Sequence, residues 1–315
     1  PSVSTLQLQL KGTGRAHTLE VRGDSAARPP AWVDAVQRAA PSAGSATGAS
    51  SASSATSAIL QAQGGLVDAP GAALGGWRGT LTRLDVRSAA PLLQTRDVAI
   101  EALWSGVAPR VTVQPGRAEV PGGAVRWSRI AWQAATGATP AQIEADAEVE
   151  PLRVAPLLAR AQPDFGWGGD LAVSAHVKLR STPNFSADIV VERASGDLTV
   201  TEELGTRALG LTDLRLGLAV DNGVWNFTQG LAGKTVGVAA GAVVVRTSPQ
   251  ALWPPADAPI DGVLELQVAD LGTWGTWVPP GWRVAGALRA SAGINGRFGA
   301  PEYTEIGRAS CRERV

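Results

Sequence analysis

The sequence predicts an all-β protein, an elongated sheet of repeated strand meanders with a few short helices. Apolar and polar residues alternate over long stretches, as at Leu214, Leu216, Leu218 and Val220, which is the pattern of a strand with one apolar face. The chain holds 37 Gly and 21 Pro but only 18% charged residues, a mixture typical of many short strands joined by turns. A short helix, a proline that ends it and an alternating strand also follow one another in this order at two places in the sequence.

Residues 1–140 are predicted to form a strand-rich segment. Alternation at Leu6, Leu8 and Leu10, followed by Leu19 and Val21, predicts a hairpin. A short helix is expected over 31–40, and the Ser/Ala/Gly-rich stretch 41–57 is expected to be a flexible loop. Further strands are predicted over 59–63, 79–87, 111–113, 118–120 and 124–132, with a bulge near Leu81 because that residue is one register off Leu84 and Val86.

Residues 141–261 are predicted to be one repeat unit of the sheet. Strict alternation runs from Ile143 to Val149, and a helix is expected over Pro151–Gln162 because Pro163 forbids its continuation. Alternation resumes from Leu171 to Leu179. Asp221-Asn222-Gly223 is the strongest hairpin signal in the chain. The remaining strands are predicted over 188–192, 197–201, 224–228 and 236–246.

Residues 262–304 are predicted to begin the next repeat. Pro151–Arg180 and Leu271–Gly296 share a helix or corner, a proline stop, a tryptophan and then an alternating strand. Gly169 and Gly286 are equivalent in the two copies, 117 residues apart. Repeats of this kind indicate a quasi-one-dimensional sheet rather than a closed globule.

The last eleven residues, Glu305–Val315, read EIGRASCRERV. This sequence resembles the translation of a common sequencing-library adapter, so we treat 305–315 as an artefactual tail and exclude it from the fold. Leaving out its three arginines and two glutamates changes the net charge from 0 to −1, and Cys311 is the only cysteine. The chain contains no methionine, so we also expect it to be a fragment of a longer protein.

This composition offers few residues that could carry out catalysis. The two histidines, His17 and His176, lie at polar strand positions, where solvated side chains are expected. The acidic residues Glu144, Asp146, Glu148 and Glu150 are spaced by two. They therefore share one strand face, which we expect to be solvated rather than catalytic. We expect no enzyme activity, no metal and no cofactor, and the near-neutral charge argues against nucleic-acid binding.

Five tryptophans lie beside Gly and Pro near the repeat corners: Trp167, Trp225, Trp274, Trp277 and Trp282. Aromatic rings in such positions close the ends of a sheet by packing. Ligand binding by stacking is the weaker alternative.

Several stretches together resemble the TamB family, the AsmA-like translocation and assembly module subunits of Gram-negative bacteria. They are Leu264–Leu271, the tryptophan-rich corner, Gly281–Leu288, Gly299–Tyr303 and Gly205–Leu216. The resemblance covers about residues 140–304 and rests on glycines, tryptophans and strand periodicity. It implies a curved, taco-like β-sheet with an apolar concave face that spans the periplasm. It also implies an inner-membrane anchor outside this fragment and a TamA-like outer-membrane barrel as partner, contacted outside this fragment.

The function that the resemblance implies is phospholipid transport to the outer membrane and outer-membrane assembly, including protein secretion. Phospholipid acyl chains would lie against the aliphatic strand faces. The groove candidates are Leu171, Val173, Val177, Leu214, Leu216, Leu218, Leu264, Leu266, Val268 and Leu288. The alternative is a chaperone-like scaffold that inserts outer-membrane proteins or autotransporters by β-augmentation. A surface β-solenoid is a third reading, but the polar ladders and short periods that it needs are missing.

Overall fold

Antiparallel strands make up most of the chain. The computed structural model describes residues 3–25, 56–69, 72–88, 91–137, 139–155, 157–158, 166–202, 205–272 and 285–305. Of these, 74% are in strands and 2% in helix, which confirms the predicted all-β fold of meanders. The chain divides into two compact units, residues 1–152 and 153–315. The boundaries predicted after residues 140 and 261 stay predictions.

Unit 1 consists of long strands that flank short ones. Its described strands are β1 (Val3–Thr13), β2 (Ala16–Ser25), β3 (Thr56–Ala69), β4 (Ala72–Arg87), β5 (Pro91–Thr95), β6 (Val98–Leu103), β7 (Arg110–Val113), β8 (Gly116–Val120), β9 (Gly123–Gln133) and β10 (Gln142–Arg153). β1 to β4 form an antiparallel meander. β4 pairs with both β5 and β6, and β9 pairs with both β8 and β7. Because β5 pairs with β8 and β6 pairs with β7, two side-by-side lanes of short antiparallel strands connect β4 to β9. β10 pairs with β9.

The core of unit 1 lies where these lanes meet. Leu81, Val98, Ala118 and Trp127 are buried there. The Trp127 ring covers Gly116, where an added Cβ would lie 2.6 Å from Trp127 Cζ2. Its Nε1–H donates a hydrogen bond to the Gln114 carbonyl oxygen (2.8 Å). The Trp127 side chain therefore fills the space over the sheet between the two lanes.

Unit 2 contains one long meander and one small sheet. The meander, in order, is β12 (Ala172–Arg180), β13 (Ser186–Ser195), β16 (Leu211–Asp221), β17 (Val224–Gly233), β18 (Gly237–Arg246), β19 (Ile260–Val268), β20 (Leu288–Arg297) and β21 (Ala300–Glu305). The small sheet is β11 (Trp167–Gly169), β14 (Leu198–Glu202) and β15 (Gly205–Ala208). Every described pairing in unit 2 is antiparallel.

Two local predictions are confirmed. Asn222 and Gly223 have φ values of 47° and 78° and join paired Asp221 and Val224. This is the two-residue turn with two positive φ angles that suits a twisted hairpin. Near Leu81, Gln61 pairs with Arg83 while Ala62 pairs with Leu81, which leaves Thr82 as the extra residue of the expected bulge.

Three predicted boundaries are wrong. Pro151–Arg153 ends strand β10 instead of starting a helix, because a proline fits a strand end where no ladder N–H is needed. The helical turn that follows holds residue 155 and residues 157–158. Thr56 and Ser57, predicted as loop, belong to β3 and pair with β2. Glu305, assigned to the excluded tail, instead ends β21 and pairs with Ala292. The predicted helix 31–40, residues 41–55, Trp274, Trp277, Trp282 and the rest of the tail, 306–315, lie outside the described residues.

The repeat has matching local structure in its two copies. The equivalent glycines Gly169 and Gly286 have φ values of 96° and 97°, a left-handed conformation that favours glycine. Residues 271–272 lie in a short helical turn, and so does residue 155, which is equivalent to residue 272 at the offset of 117 residues. In each copy a long strand, β12 or β20, follows the glycine within three residues.

Candidate functional site

One face of the unit 2 meander is apolar over most of its width, with Gln229 as a polar side chain in it. Residues that pair across antiparallel strands lie on the same face, so the register defines rows of side chains. One row reads Val191, Leu216, Gln229, Gly241, Leu264 and Ala292. The next row reads Leu214, Leu231, Ala239, Leu266 and Ala290. The opposite face presents polar residues such as Arg215, Thr228 and Glu265, which are exposed.

Aromatic packing covers one end of this apolar face. Trp225, 1% exposed, lies among Phe185, Val220 and Val245. Its ring centroid is 5.3 Å from that of Phe185, and its Nε1–H donates to Thr247 Oγ1 (3.0 Å). This confirms the predicted packing role for Trp225 at a sheet corner.

The small sheet and the loops beside it cover the other end. Leu171, Leu198, Leu211 and Val236 are buried together there. Asp197 holds the arrangement, because its carboxylate accepts hydrogen bonds from the backbone N–H groups of residues 198 and 211 (Oδ1, 2.8 and 2.9 Å) and of residue 210 (Oδ2, 2.8 Å).

Between the two covered ends the apolar face stays open and forms a groove of about 810 Å³. That volume lies in the range of ligand sites, which is about 300–1,000 Å³. Its lining side chains on the apolar face are Leu214, Leu216, Gln229, Leu231, Ala239, Leu264, Leu266, Ala290, Ala292 and Tyr303. The leucines form the walls, while the short side chains of Ala239, Ala290 and Ala292 leave the space between them free.

The ten predicted groove residues occupy three kinds of position. Leu214, Leu216, Leu264 and Leu266 line the groove. Val173, Val177, Leu218 and Leu288 are half-buried, and Val173 and Leu218 pack against the two end clusters. Leu171 and Val268 are 1% and 0% exposed, so a ligand in the groove does not reach them. The same alternation thus gives core packing at the ends of the strands and an open lining in their middle.

Unit 1 carries ion pairs on its polar face. Glu144, at one end of the acidic row on β10, pairs with Arg129 (2.7 Å), and Glu150 at the other end pairs with Arg117 (2.9 Å) and Arg126 (3.0 Å). The hydrogen bond from Arg117 lowers the pKa of Glu150 below its usual value. These two carboxylates share one strand face, as the spacing of two predicts, but they are salt-bridged and only 28% and 27% exposed instead of fully solvated.

Among the described residues of unit 1, Asp85 is the buried acid, with 3% of it exposed. Arg87 donates to both carboxylate oxygens (2.7 and 2.8 Å), and Arg83 donates to Oδ2 (2.8 Å). The hydrogen bonds from Arg87 hold the pKa of Asp85 well below its ordinary value, against the opposing effect of burial, with further support from Arg83 and Gln94.

The prediction of a solvated histidine is wrong for His17. Its ring is half-buried, and Nε2 accepts a hydrogen bond from Trp77 Nε1–H (3.0 Å), while Nδ1 lies 3.2 Å from the Thr13 carbonyl oxygen. The Trp77 ring lies over the glycine pair Gly64 and Gly79, and this brings it to His17 on the same face. Among the described residues, no group of three or more His, Cys, Asp or Glu side chains could hold a metal ion. No helix among the described residues has the length and hydropathy of a transmembrane span.

Sequence reasoning missed Gln229, Leu231, Tyr303 and the small residues of the groove. Ala239, Ala290 and Ala292 carry little hydrophobic signal, although they make the groove open. Their places become clear only from the strand register, which sets alanines and glycines of β18 and β20 beside leucines of β17 and β19.

No family model, curated protein or solved structure matches this chain.

Proposed function

We propose that this chain is a segment of a periplasmic, TamB-type scaffold whose apolar groove carries phospholipid acyl chains toward the outer membrane. The observation that supports the proposal most is the open groove in unit 2, which is apolar although both ends of the same sheet face are covered. In this proposal the inner-membrane anchor and the contact with a TamA-like barrel lie elsewhere in a longer protein.

Hydrocarbon is the ligand chemistry that such a surface favours. Apolar surface left in water costs about 25 cal/mol per Å², and Leu216 in the groove is 46% exposed. Each buried methylene of an acyl chain contributes about 0.8 kcal/mol, so a sixteen-carbon chain gains on the order of 10 kcal/mol from full burial. Contact between an acyl chain and the groove leucines therefore contributes favourably to binding.

The described lining offers an acyl chain no ionic anchor on the groove face. The groove face is built mainly of leucines and alanines, with Gln229 and Tyr303 as polar side chains, and among its described lining residues the one charged side chain, Glu265, belongs to the opposite face by register. Without a charged anchor the binding energy comes from many similar contacts. A chain that shifts by one methylene exchanges equivalent contacts, and this suits transport.

Site-specific photo-crosslinking tests the proposal. A photoreactive phenylalanine analogue is placed at Leu216 or Leu266 in the groove, and at Arg215 or Gln267 as matched controls. Each control is the strand neighbour of a groove position and lies on the opposite face. After irradiation with phospholipid vesicles, mass spectrometry of the purified chain should find lipid adducts at Leu216 and Leu266 but not at the controls. Equal labelling of both faces, or no adducts at the groove positions, contradicts the proposal.

The chaperone-like alternative is favoured by a different observation, the outer strand β1. In the described part of unit 1 this strand pairs with β2 alone, and Leu6, Leu8 and Leu10 on it are exposed. A long edge with an apolar row is a template for strand addition. Leu8→Pro removes an N–H that points away from β2, because Thr13 and Ala16 flank the two-residue turn as a bonded pair and bonded and unbonded positions alternate along β1. Under this alternative it should abolish capture of an unfolded outer-membrane strand, whereas Leu216→Asp should not affect it. Under the lipid proposal, Leu216→Asp should abolish lipid adducts, whereas the proline substitution on β1 should leave them unchanged.

A further inference from the structure

The groove face carries a polar side chain in its middle, the carboxamide of Gln229. The register sets Gln229 between Leu216 on β16 and Gly241 on β18. A Cβ added to Gly241 would lie 2.7 Å from Gln229 Nε2 and 2.4 Å from Leu264 Cδ2. The carboxamide therefore leans across β18 toward Leu264 and lies over the groove floor.

This carboxamide has its hydrogen-bonding groups available. Gln229 is exposed, and within the described part of the chain its side chain makes no hydrogen bond to another residue. A carboxamide offers two N–H donors and one acceptor oxygen. If a purely hydrocarbon ligand covered it, these groups would lose water without gaining a partner, which costs free energy.

We infer that Gln229 is a specificity-determining residue that donates a hydrogen bond to the carbonyl oxygen of an ester-linked acyl chain. The inference rests on the proposed function, since it assigns a role within the same groove. An acyl ester places a neutral acceptor directly at the end of its hydrocarbon chain, so one ligand can fill the apolar walls and satisfy the carboxamide. A site that hydrogen-bonds a ligand group rejects an analogue that lacks it, because the polar group of the site then stays unpaired.

The lining also shows where the charged part of such a ligand lies. No charged side chain among the described lining residues lies on the groove face, because Glu265 pairs with Ala240 and Ser291 on the opposite face. A phosphate headgroup has no ionic partner within the groove. It therefore remains in water, and the ester carbonyl is the polar group that enters.

A matched pair of lipids tests this role. The probes are 1-palmitoyl lysophosphatidylcholine and its ether analogue 1-O-hexadecyl lysophosphocholine, which share chain length and headgroup but differ in the carbonyl. Binding to the full chain is measured by titration calorimetry below the critical micelle concentration. The wild type should bind the ester about tenfold more tightly than the ether. Gln229→Leu should remove that preference while still binding the ether, and Thr228→Leu, the neighbouring residue on the opposite face, should retain it.

The outcomes separate this inference from the proposed function. Equal binding of ester and ether by the wild type, or an ester preference that survives in Gln229→Leu, overturns the role of Gln229 and leaves the groove proposal standing. If neither lipid binds the wild type, the groove proposal fails and this inference fails with it.

Discussion

The two units use one sequence pattern to opposite effect. In unit 1 the apolar face is closed in its middle, where the rings of Trp77 and Trp127 lie over glycines and Val98 is buried beside Leu81. In unit 2 the ends of the face are covered and the middle is open. The difference is in side-chain size. Large rings above glycines fill the space in unit 1, whereas the alanines of β18 and β20 leave it free in unit 2.

Alternation alone decides only which face of a sheet is apolar. Whether that face becomes core or groove depends on the volume of the residues that the register brings side by side, because protein interiors are close-packed. A groove is then a place where the summed side-chain volume is too small to fill the face. Changes in volume at a few positions should therefore interconvert the two situations.

The largest expected effect comes from opening the closed middle of unit 1. Trp127→Ala removes a ring that is 8% exposed and should lower the free energy of unfolding by about 3–5 kcal/mol. Urea denaturation measures it. Trp132→Ala on the same strand is the control, since Trp132 is 40% exposed, and it should cost less than about 2 kcal/mol. Similar losses for both variants would show that Trp127 does not close the face.

Opening a covered end of unit 2 should have the next largest effect. Asp197→Ala leaves three backbone N–H groups without their carboxylate partner and should cost about 2–3 kcal/mol. Asp197→Asn keeps one acceptor oxygen and should lose about half as much. Thermal and urea unfolding measure both variants. Equal stability of Asp197→Ala and the wild type would contradict the role of this carboxylate as the clamp of that end.

The sequence predicts the local features of this fold but not the groove. The strands, the Asn222-Gly223 turn and the bulge beside Leu81 follow from local alternation and turn chemistry, and the structure confirms them. The open groove could not be predicted from the sequence, because it depends on non-local register, such as Gly241 meeting Gln229 and Leu264. Residues of one predicted set, such as Leu216 and Val268, therefore end up in different environments although their local patterns are the same.

Acid should affect unit 1 through Asp85. The pKa of this carboxyl is lowered in the folded chain by its hydrogen bonds to Arg87 and Arg83, while the unfolded value is about 3.9. Its contribution is therefore fully present above pH ~4 and is lost as the pH falls toward the folded value. Because both arginines are partly exposed, we expect Asp85→Asn to cost about 1–2 kcal/mol at pH 7.

The measurement is the urea midpoint of the wild type and Asp85→Asn between pH 7 and pH 2. The difference between the two chains should narrow as the pH falls below ~4. The control is Asp213→Asn, an exposed aspartate of unit 2, which should change the midpoint little at either pH. A constant difference across this range would show that the Asp85 carboxylate is not what the two arginines stabilise.

The smallest change in stability should come from filling the groove of unit 2. Ala290→Leu together with Ala292→Leu adds bulk to an open face and should alter the free energy of unfolding by less than about 1 kcal/mol, since no packed core is disturbed. The same pair should abolish lipid adducts at Leu266, because the new side chains occupy the volume that an acyl chain would take. Ser291→Leu adds a leucine between them on the opposite face and should leave the adducts unchanged. If the double variant still yields adducts at the level of the wild type, the space above these alanines is not where lipid lies, and side-chain volume is not what separates the two units.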